Sequence, residues 1–135
     1  MTDSPQFPAD LIGEASIVVS NEVTARHLGS GTVAVFATPE MVRLMERAAV
    51  NGLAPYLAPG QQSVGTMVNV KHLAATPVGA TVTARAELLS IDGRRLFFKV
   101  SAHDGTDLIG EGTHERALID LAKFEQRVAA KQKSG

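Results

Sequence analysis

The sequence predicts an α+β fold in which one long helix is wrapped by a curved antiparallel β-sheet of about five strands. A single stretch, Ala37–Pro55, repeats apolar residues at helical spacing over several turns. From Ser63 onward, apolar residues recur at every second position, which is the period of a strand. The dipeptide Asp92-Gly93 is typical of a tight antiparallel hairpin. One helix is enough to cover the apolar face of one such sheet.

The helix predicted over Ala37–Pro55 has recognisable start and stop signals. Thr38 is expected to cap its first turn, and Pro39 follows where a missing N–H costs nothing. One apolar stripe is expected to face the sheet, formed by Met41, Leu44, Met45, Ala48 and Gly52. Glu46 lies at the edge of this stripe, on the flank of Thr38, so the two side chains could serve one pocket.

One strand is predicted before the helix, over Glu14–Thr24, and four are predicted after it. The glycine-rich link Arg26–Thr32 is either a plain turn or a mobile flap. The side chains expected on the inner face of the four later strands are Val64, Thr66, Val68, Val70 and His72; Val82, Ala84, Ala86 and Leu88; Leu96, Phe98, Val100 and Ala102; and Gly110, Gly112, His114, Arg116 and Leu118. Apolar residues on the outer face, together with open sheet edges, indicate a homodimer.

Size and composition narrow the class of protein. A chain of 135 residues is expected to form a single domain, 1–135, with loose ends over 1–10 and 124–135. A net charge of −1 without a basic stripe argues against nucleic acid as a partner. No apolar run reaches membrane-spanning length and the N-terminus does not match a secretory signal, so a cytoplasmic protein without a membrane partner is expected. The absence of cysteine excludes thiolate zinc sites and a cysteine nucleophile, and the histidines lack metal-ligand spacing.

Four segments of the sequence are more specific than these general patterns. They read ATPEMVRLMERAA, SVGTMVNVKHLAATPVGATV, DGRRLFFKV and IGEGTHER, in this order. Together they resemble the fluoroacetyl-CoA thioesterase family of hot-dog fold proteins, and the resemblance covers roughly residues 33–120, most of the chain. The resemblance implies a homodimer that hydrolyses an acyl-CoA thioester to free acid and CoA. It also implies that the reaction needs neither a metal nor a separate cofactor, coenzyme A being part of the substrate.

The same resemblance implies the site residues. A threonine at the helix start, a glutamate on the helix and a histidine on the next strand correspond to Thr38, Glu46 and His72. The glycine of SVGT corresponds to Gly65, near the thioester carbonyl. The arginine of THER corresponds to Arg116, which is expected to line the acyl pocket.

The segment before the helix departs from the family pattern. The type enzyme of the family discriminates for its fluorinated substrate with phenylalanines in this segment. Here the segment reads HLGSGTVAVF, with Gly31 and Thr32 where a bulky gate is expected. Phe36 is its only aromatic residue and is therefore the aromatic candidate for substrate binding. The chemistry is expected to carry over, whereas strong fluoroacetyl specificity is not.

Each candidate also has an ordinary structural interpretation. Thr38 could only cap the helix, and Glu46 could pair on the surface with Arg43 or Arg47. A core position could equally explain His72. Arg116 could pair with Glu87 or Glu115, and Gly65 could mark a bulge in a curved sheet. These readings remain open for each residue taken alone.

The order of the chemical steps also stays open. Glu46 as general base could activate Thr38, giving an acyl-enzyme, or activate a water held by Thr38, while His72 orients the acyl group or passes a proton. The backbone N–H of Gly65 would face the oxyanion.

Two other functions compete with hydrolysis. A hot-dog acyl-CoA dehydratase usually pairs histidine with a helix aspartate, which this helix lacks, and a non-catalytic acyl-CoA binding module needs no base.

Overall fold

The computed structural model describes residues 6–134. The elements are β1 (Ile12–Val18), a 3₁₀ turn (Asn21–Val23), α1 (Ala25–Leu28), α2 (Thr38–Leu53), a second 3₁₀ turn (Ala54–Tyr56), β2 (Gln61–His72), β3 (Thr81–Asp92), β4 (Arg95–His103), β5 (Leu108–Asp120) and α3 (Leu121–Ser134). The strands form one antiparallel five-stranded sheet in the order β1-β3-β4-β5-β2, and α2 packs on it. The predicted α+β class is confirmed.

The alternation predicted for the three central strands is also confirmed. Their inner side chains are buried, and those of β3 and β4 are Val82, Ala84, Ala86, Leu88, Leu96, Phe98, Val100 and Ala102. Gly93 lies between β3 and β4 with φ +62°, a conformation that glycine adopts without strain. The predicted hairpin therefore forms, and it brings β4 alongside β3 in register.

Helix α2 begins one residue earlier than expected. The N-cap is Ala37, which has no capping side chain, and Thr38 is the first helical residue. The prediction that Thr38 caps the helix is therefore wrong. The predicted apolar stripe is buried against the sheet, and the buried side of α2 consists of Met41, Leu44, Met45, Ala48, Ala49, Gly52 and Leu53.

The pairing of β2 with β5 is interrupted by a bulge between Gly65 and Met67. Gly65 pairs with Arg116 and Val68 with His114, so one extra residue of β2 is accommodated between them. The prediction that Val64 and Thr66 share the inner face with Val68 is wrong, because the bulge reverses the alternation at this point. As a result Gly65 comes onto the inner face, opposite α2.

The segments outside the central sheet differ from the expectations as well. The first strand ends at Val18 rather than near Thr24. The start of the glycine-rich link lies in the short helix α1. Thr24 caps this helix, because its hydroxyl oxygen accepts a hydrogen bond from the backbone N–H of His27 at 3.3 Å.

Parts of the two ends that were expected to be loose carry structure within the described residues. At the N-terminal end Phe7 is only 3% exposed, and residues 124–134 lie in α3. Predicted residues 1–5 and 135 lie outside the described range. Among the helices of residues 6–134, none has both the length and the apolar character needed to span a bilayer.

We expect substitution of Gly13 to loosen the contact between α2 and β1. A Cβ at Gly13 would lie 1.9 Å from the carbonyl oxygen of Ala48 and 2.6 Å from the backbone nitrogen of Gly52. Because both are backbone atoms, G13A must push α2 away from the sheet and should cost about 3 kcal/mol of unfolding free energy. Urea unfolding measures this cost. G31A, whose Cβ would meet only the Ala25 side chain at 3.3 Å, is the control and should change stability little; equal stability of the two variants would contradict the prediction.

Candidate active site

The first part of the site is a hydroxyl–imidazole pair. Thr38 opens α2 with an exposed side chain, and His72 ends β2. Thr38 Oγ1 lies 2.7 Å from His72 Nδ1, a good hydrogen-bond distance. Two of the three predicted catalytic residues are thus in direct contact, and the contact joins the start of the helix to the end of the neighbouring strand.

An open cavity of about 340 Å³ lies over this pair. Besides Thr38 and His72, its lining consists of Ala25, Ser30, Val35, Phe36, Leu73, Ala74 and Ala75. Phe36 is only 1% exposed and forms part of the wall, so the predicted aromatic residue does reach the cavity. Hollows of about 400 and 520 Å³ lie elsewhere, beside the β3–β4 hairpin and on the outer face of the sheet, but neither is lined by a predicted site residue.

Two buried contacts hold the segments that carry the pair. The backbone N–H of Phe36 donates to the carbonyl oxygen of Thr76 at 2.9 Å. The hydroxyl of Thr76, which is fully buried, donates to Asp104 Oδ2 at the same distance. Hydrogen bonds from the backbone amides of Asp107 and Thr106 lower the pKa of the Asp104 carboxyl. An ionised Asp104 therefore holds Thr76 in place, and Thr76 joins the segment that follows His72 to the segment that precedes Thr38.

The environment of His72 favours its neutral form. Burial lowers the pKa of the imidazole from its ordinary value of 6.5. A neutral ring can accept the hydroxyl proton of Thr38 at Nδ1. Within residues 6–134, Nε2 is shielded from solvent and has no hydrogen-bond partner. The pair therefore has the form of a hydroxyl beside an uncharged base, with one ring nitrogen still available.

The second part of the site is built around a buried guanidinium. Arg116 is 6% exposed and donates from Nη1 to Glu46 Oε2 at 3.5 Å. Its Nε and Nη2 donate to the Ser63 hydroxyl at 2.9 Å and the Ser63 carbonyl at 3.1 Å. Burial lowers the pKa of Arg116, and the carboxylate of Glu46 opposes this shift. Glu46 thus faces a desolvated cation rather than Arg43, which pairs with Glu40 at 3.6 Å.

His114 completes this second cluster. Its Nδ1 lies 2.7 Å from the carbonyl oxygen of Met67, and its Nε2 lies 3.2 Å from Arg116 Nη1. The ring is 1% exposed and stacks on Phe98 with centroids 6.1 Å apart. Burial lowers the pKa of the ring, and the positive charge of Arg116 acts in the same direction. His114 is therefore a neutral acceptor in front of the guanidinium.

Gly65 is in close contact with Glu46 and Arg116. A Cβ built there would lie 2.6 Å from Glu46 Oε2 and 3.3 Å from Arg116 Nη1. A side chain at this position would displace the Glu46 carboxylate, which glycine leaves beside the backbone of the bulge. The structure thus brings Gly65, Glu46 and Arg116 together, as the predicted site requires.

The two parts of the site do not meet within one chain. Thr38 and Glu46 are separated by more than two turns of α2, a rise of about 12 Å. The expectation that the two side chains share one pocket is therefore wrong for a single chain, because helical periodicity gives the angle around an axis but not the distance along it. Any chemistry that uses both must bring in a second copy or a large movement.

Sequence reasoning missed two residues of the site, and the alternative partners that it offered for Arg116 are wrong. Glu87 pairs with Arg85 at 3.5 Å and Glu115 pairs with Arg95 at 2.8 Å, whereas Arg116 contacts Glu46. Ser63 and His114 were not proposed as site residues, although the alternation of β5 placed His114 on the same face as Arg116. Among the described residues, no group of three or more His, Asp or Glu side chains is arranged to hold a metal ion.

Comparison with known proteins identifies the family and the fold. The family described as fluoroacetyl-CoA-specific thioesterase matches residues 19–122. The fluoroacetyl-CoA thioesterase of Streptantibioticus cattleyicolor is 59% identical over 101 residues, which cover 75% of this chain and 73% of that protein. A solved structure of the fluoroacetyl-CoA thioesterase FlK is 50% identical, with a TM-score of 0.87 over 93% of this chain and 97% of that one. A hot-dog-like protein from Thermanaerovibrio acidaminovorans is 25% identical, with a TM-score of 0.85 over 93% of each chain. The predicted hot-dog fold is confirmed.

We expect stability to fall as the pH is lowered from about 7 to 5. His72 and His114 have pKa values below 6.5 in the folded chain, so the unfolded chain binds more protons in this range. The unfolding free energy must therefore fall as the pH is lowered below about 6.5. This loss begins at a higher pH than the titration of the carboxylates with lowered pKa. Urea unfolding at pH 7.5, 6.5 and 5.5 measures the slope, which H114Q should reduce. A flat profile for the unsubstituted chain would show that the buried histidines accept protons as readily folded as unfolded.

Proposed function

Because the chain belongs to the fluoroacetyl-CoA-specific thioesterase family, we propose that it hydrolyses a small acyl-CoA to the free acid and coenzyme A. The observation that carries this proposal is the 2.7 Å contact between the Thr38 hydroxyl and His72 Nδ1 beneath an open cavity. A hydroxyl on a neutral imidazole is the arrangement used to activate a nucleophile for acyl transfer. The reaction proposed here uses no metal and no cofactor, and it takes place in the cytoplasm.

In the first proposed step the Thr38 oxygen attacks the thioester carbonyl while its proton passes to His72 Nδ1. The carbon–sulfur bond then breaks, His72 returns the proton to the departing thiolate, and an acyl-threonine remains. In the second step water attacks the acyl carbon while the carboxylate of Glu46 takes its proton; the bond between the acyl carbon and Thr38 Oγ1 then breaks, the proton returns to that oxygen, and the free acid leaves. The direct alternative, in which Thr38 only holds the attacking water, predicts no acyl-enzyme, and rapid quenching followed by mass spectrometry separates the two.

Glu46 is the proposed general base for the water. It is half-buried beside Arg116, whose charge and Ser63 anchors hold the carboxylate next to the backbone of Gly65. The backbone N–H of Gly65 is the proposed donor to the oxyanion, where one such donor is worth roughly 3 kcal/mol in the transition state. Because Arg116 contacts Glu46 and lies beside Gly65, we propose that it also borders the acyl site.

The two parts of the site are proposed to meet in a homodimer. Strand β2 is at the edge of the sheet and pairs with β5 along one side only. Two copies of β2 can pair antiparallel about a two-fold axis, with Gly65 of one copy opposite His72 of the other. Both residues are on the inner face, so Glu46 of one copy would then approach Thr38 of the second copy. The two equivalent sites of the dimer would each contain residues from both chains.

Release of free thiol from a panel of acyl-CoAs tests the function directly. We expect turnover of acetyl-CoA and fluoroacetyl-CoA with kcat/KM values within about 100-fold of each other, because Gly31 and Thr32 are exposed and provide no bulky gate. Binding without thiol release would favour the non-catalytic module, and hydration of an enoyl-CoA without thiol release would favour the dehydratase. A fluoroacetyl preference far above this range would contradict the reading of the gate.

Substitution of the two catalytic groups should lower kcat without unfolding the protein. E46Q keeps the shape of the side chain but removes the base, and kcat should fall at least about 100-fold. T38A should do the same with little change in melting temperature, because Thr38 makes no capping bond. T38S keeps the hydroxyl and should restore part of the rate. Near-normal kcat in both folded variants, E46Q and T38A, would exclude this site.

Mixing the two inactive variants tests the shared site. If each site takes Thr38 from one copy and Glu46 from the other, a dimer of T38A with E46Q contains one intact site and one doubly altered site. Subunit exchange at equal concentrations should then restore about a quarter of the normal activity. A site contained in one chain gives no rescue, and a monomer by light scattering at micromolar concentration would also refute the dimer.

A further inference from the structure

His114 occupies a position in the site that neither the proposed chemistry nor the sequence motifs explain. It is fully buried on β5, two residues before Arg116, and does not face the cavity above Thr38. Its two nitrogens nevertheless contact two parts of the Glu46 environment, the bulge of β2 and the guanidinium.

These contacts fix the proton on the ring. The Met67 carbonyl can only accept, so His114 Nδ1 carries the hydrogen and donates it over 2.7 Å. The guanidinium can only donate, so Nε2 must be the acceptor for Arg116 Nη1 at 3.2 Å. A neutral ring with this one tautomer satisfies both neighbours at once.

We propose that His114 is a positioning residue for the hydrolysis: its Nε2 atom holds Nη1 of Arg116 in the orientation that fixes the carboxylate of Glu46. The proposal rests on the proposed role of Glu46 as the base. His114 touches neither substrate nor reacting atoms, and it acts through Arg116.

The geometry of the guanidinium explains why an acceptor is needed at this place. Ser63 binds the Nε and Nη2 side of Arg116 through its hydroxyl and its carbonyl. Nη1 is the remaining nitrogen of the guanidinium, and it lies 3.2 Å from His114 Nε2 and 3.5 Å from Glu46 Oε2. If the His114 acceptor is removed, the buried Nη1 group loses a partner and must turn, and the long bond to Glu46 is the contact that changes.

Two substitutions separate the two contacts of His114. The amide of glutamine reaches about as far as Nε2 and can accept from Arg116, whereas the amide of asparagine reaches about as far as Nδ1 and can donate to Met67. We expect H114Q to keep kcat within about 3-fold and H114N to lower it about 10- to 100-fold, with KM little changed in both. A purely structural role predicts that activity per folded molecule stays normal in both variants, and that result overturns the proposal. H103N, an exposed histidine on β4, controls for loss of a histidine.

A double-substitution cycle tests whether His114 acts through Glu46. If it does, adding H114N to E46Q should cost less than about 2-fold, because the carboxylate to be positioned is already gone. Independent effects that multiply would overturn the proposal. If H114N does not fold, H114Q still tests the proposal: it keeps an acceptor for Arg116 Nη1, so kcat within about 3-fold of normal supports the proposal and a loss as large as that of E46Q overturns it.

The outcomes also distinguish this proposal from the proposed function. Absence of thiol release in the unsubstituted chain, or a normal rate in E46Q, refutes the function itself. A normal rate in H114N, with E46Q strongly impaired, refutes only the role of His114. The proposal is supported when E46Q and H114N are impaired, H114Q is active and the double variant shows no added loss.

Discussion

The buried guanidinium of Arg116 is the constraint on which the geometry of the site depends. A cation that is 6% exposed is costly unless its donors are paired and its charge is compensated. Ser63, Glu46 and His114 supply these partners, and they come from β2, α2 and β5. Because the same arginine lies opposite Gly65 in the sheet, satisfying it also fixes the β2 bulge against the helix. The position of the carboxylate is therefore set by an electrostatic requirement of the core.

The shape of the fold explains why one chain contains two incomplete sites. Helix α2 places Thr38 and Glu46 about 12 Å apart along its axis, and β2 contributes the neighbour of each, His72 beside Thr38 and Gly65 beside Glu46. The Thr38 end has a nucleophile and a neutral base but no carboxylate among the groups that line its cavity. The Glu46 end has a carboxylate, and the hydroxyl bound to its guanidinium, that of Ser63, already accepts a bond from Arg116. The proposed two-fold axis across the free edge of β2 would resolve both deficits with one interface.

Prediction from sequence succeeded where structure is determined by local pattern. The alternation along β3, β4 and β5 and the stripe of α2 were read correctly, because period and burial are linked directly. It failed for Val64 and Thr66, because strict alternation was assumed through a bulge that Gly65 indicated only as one of two alternatives. The contact of Thr38 with His72 was expected from the resemblance alone. Ser63 and His114 were missed because their roles depend on the burial of Arg116, which lies beside His114 on β5 and reaches Ser63 on the neighbouring strand β2.

The start of α2 shows how one residue of displacement changes what a side chain can do. A threonine at the N-cap normally accepts a bond from the first free amides, and replacing such a cap by alanine costs about 1 kcal/mol. In this chain alanine occupies the cap itself, so α2 forgoes that bond and begins with Pro39 in the first turn. The hydroxyl of Thr38 is thereby left without a backbone partner at the helix start and bonds to His72 instead. Because Thr38 lies one position inside the cap, its hydroxyl can bond to His72 without competing with the capping of α2.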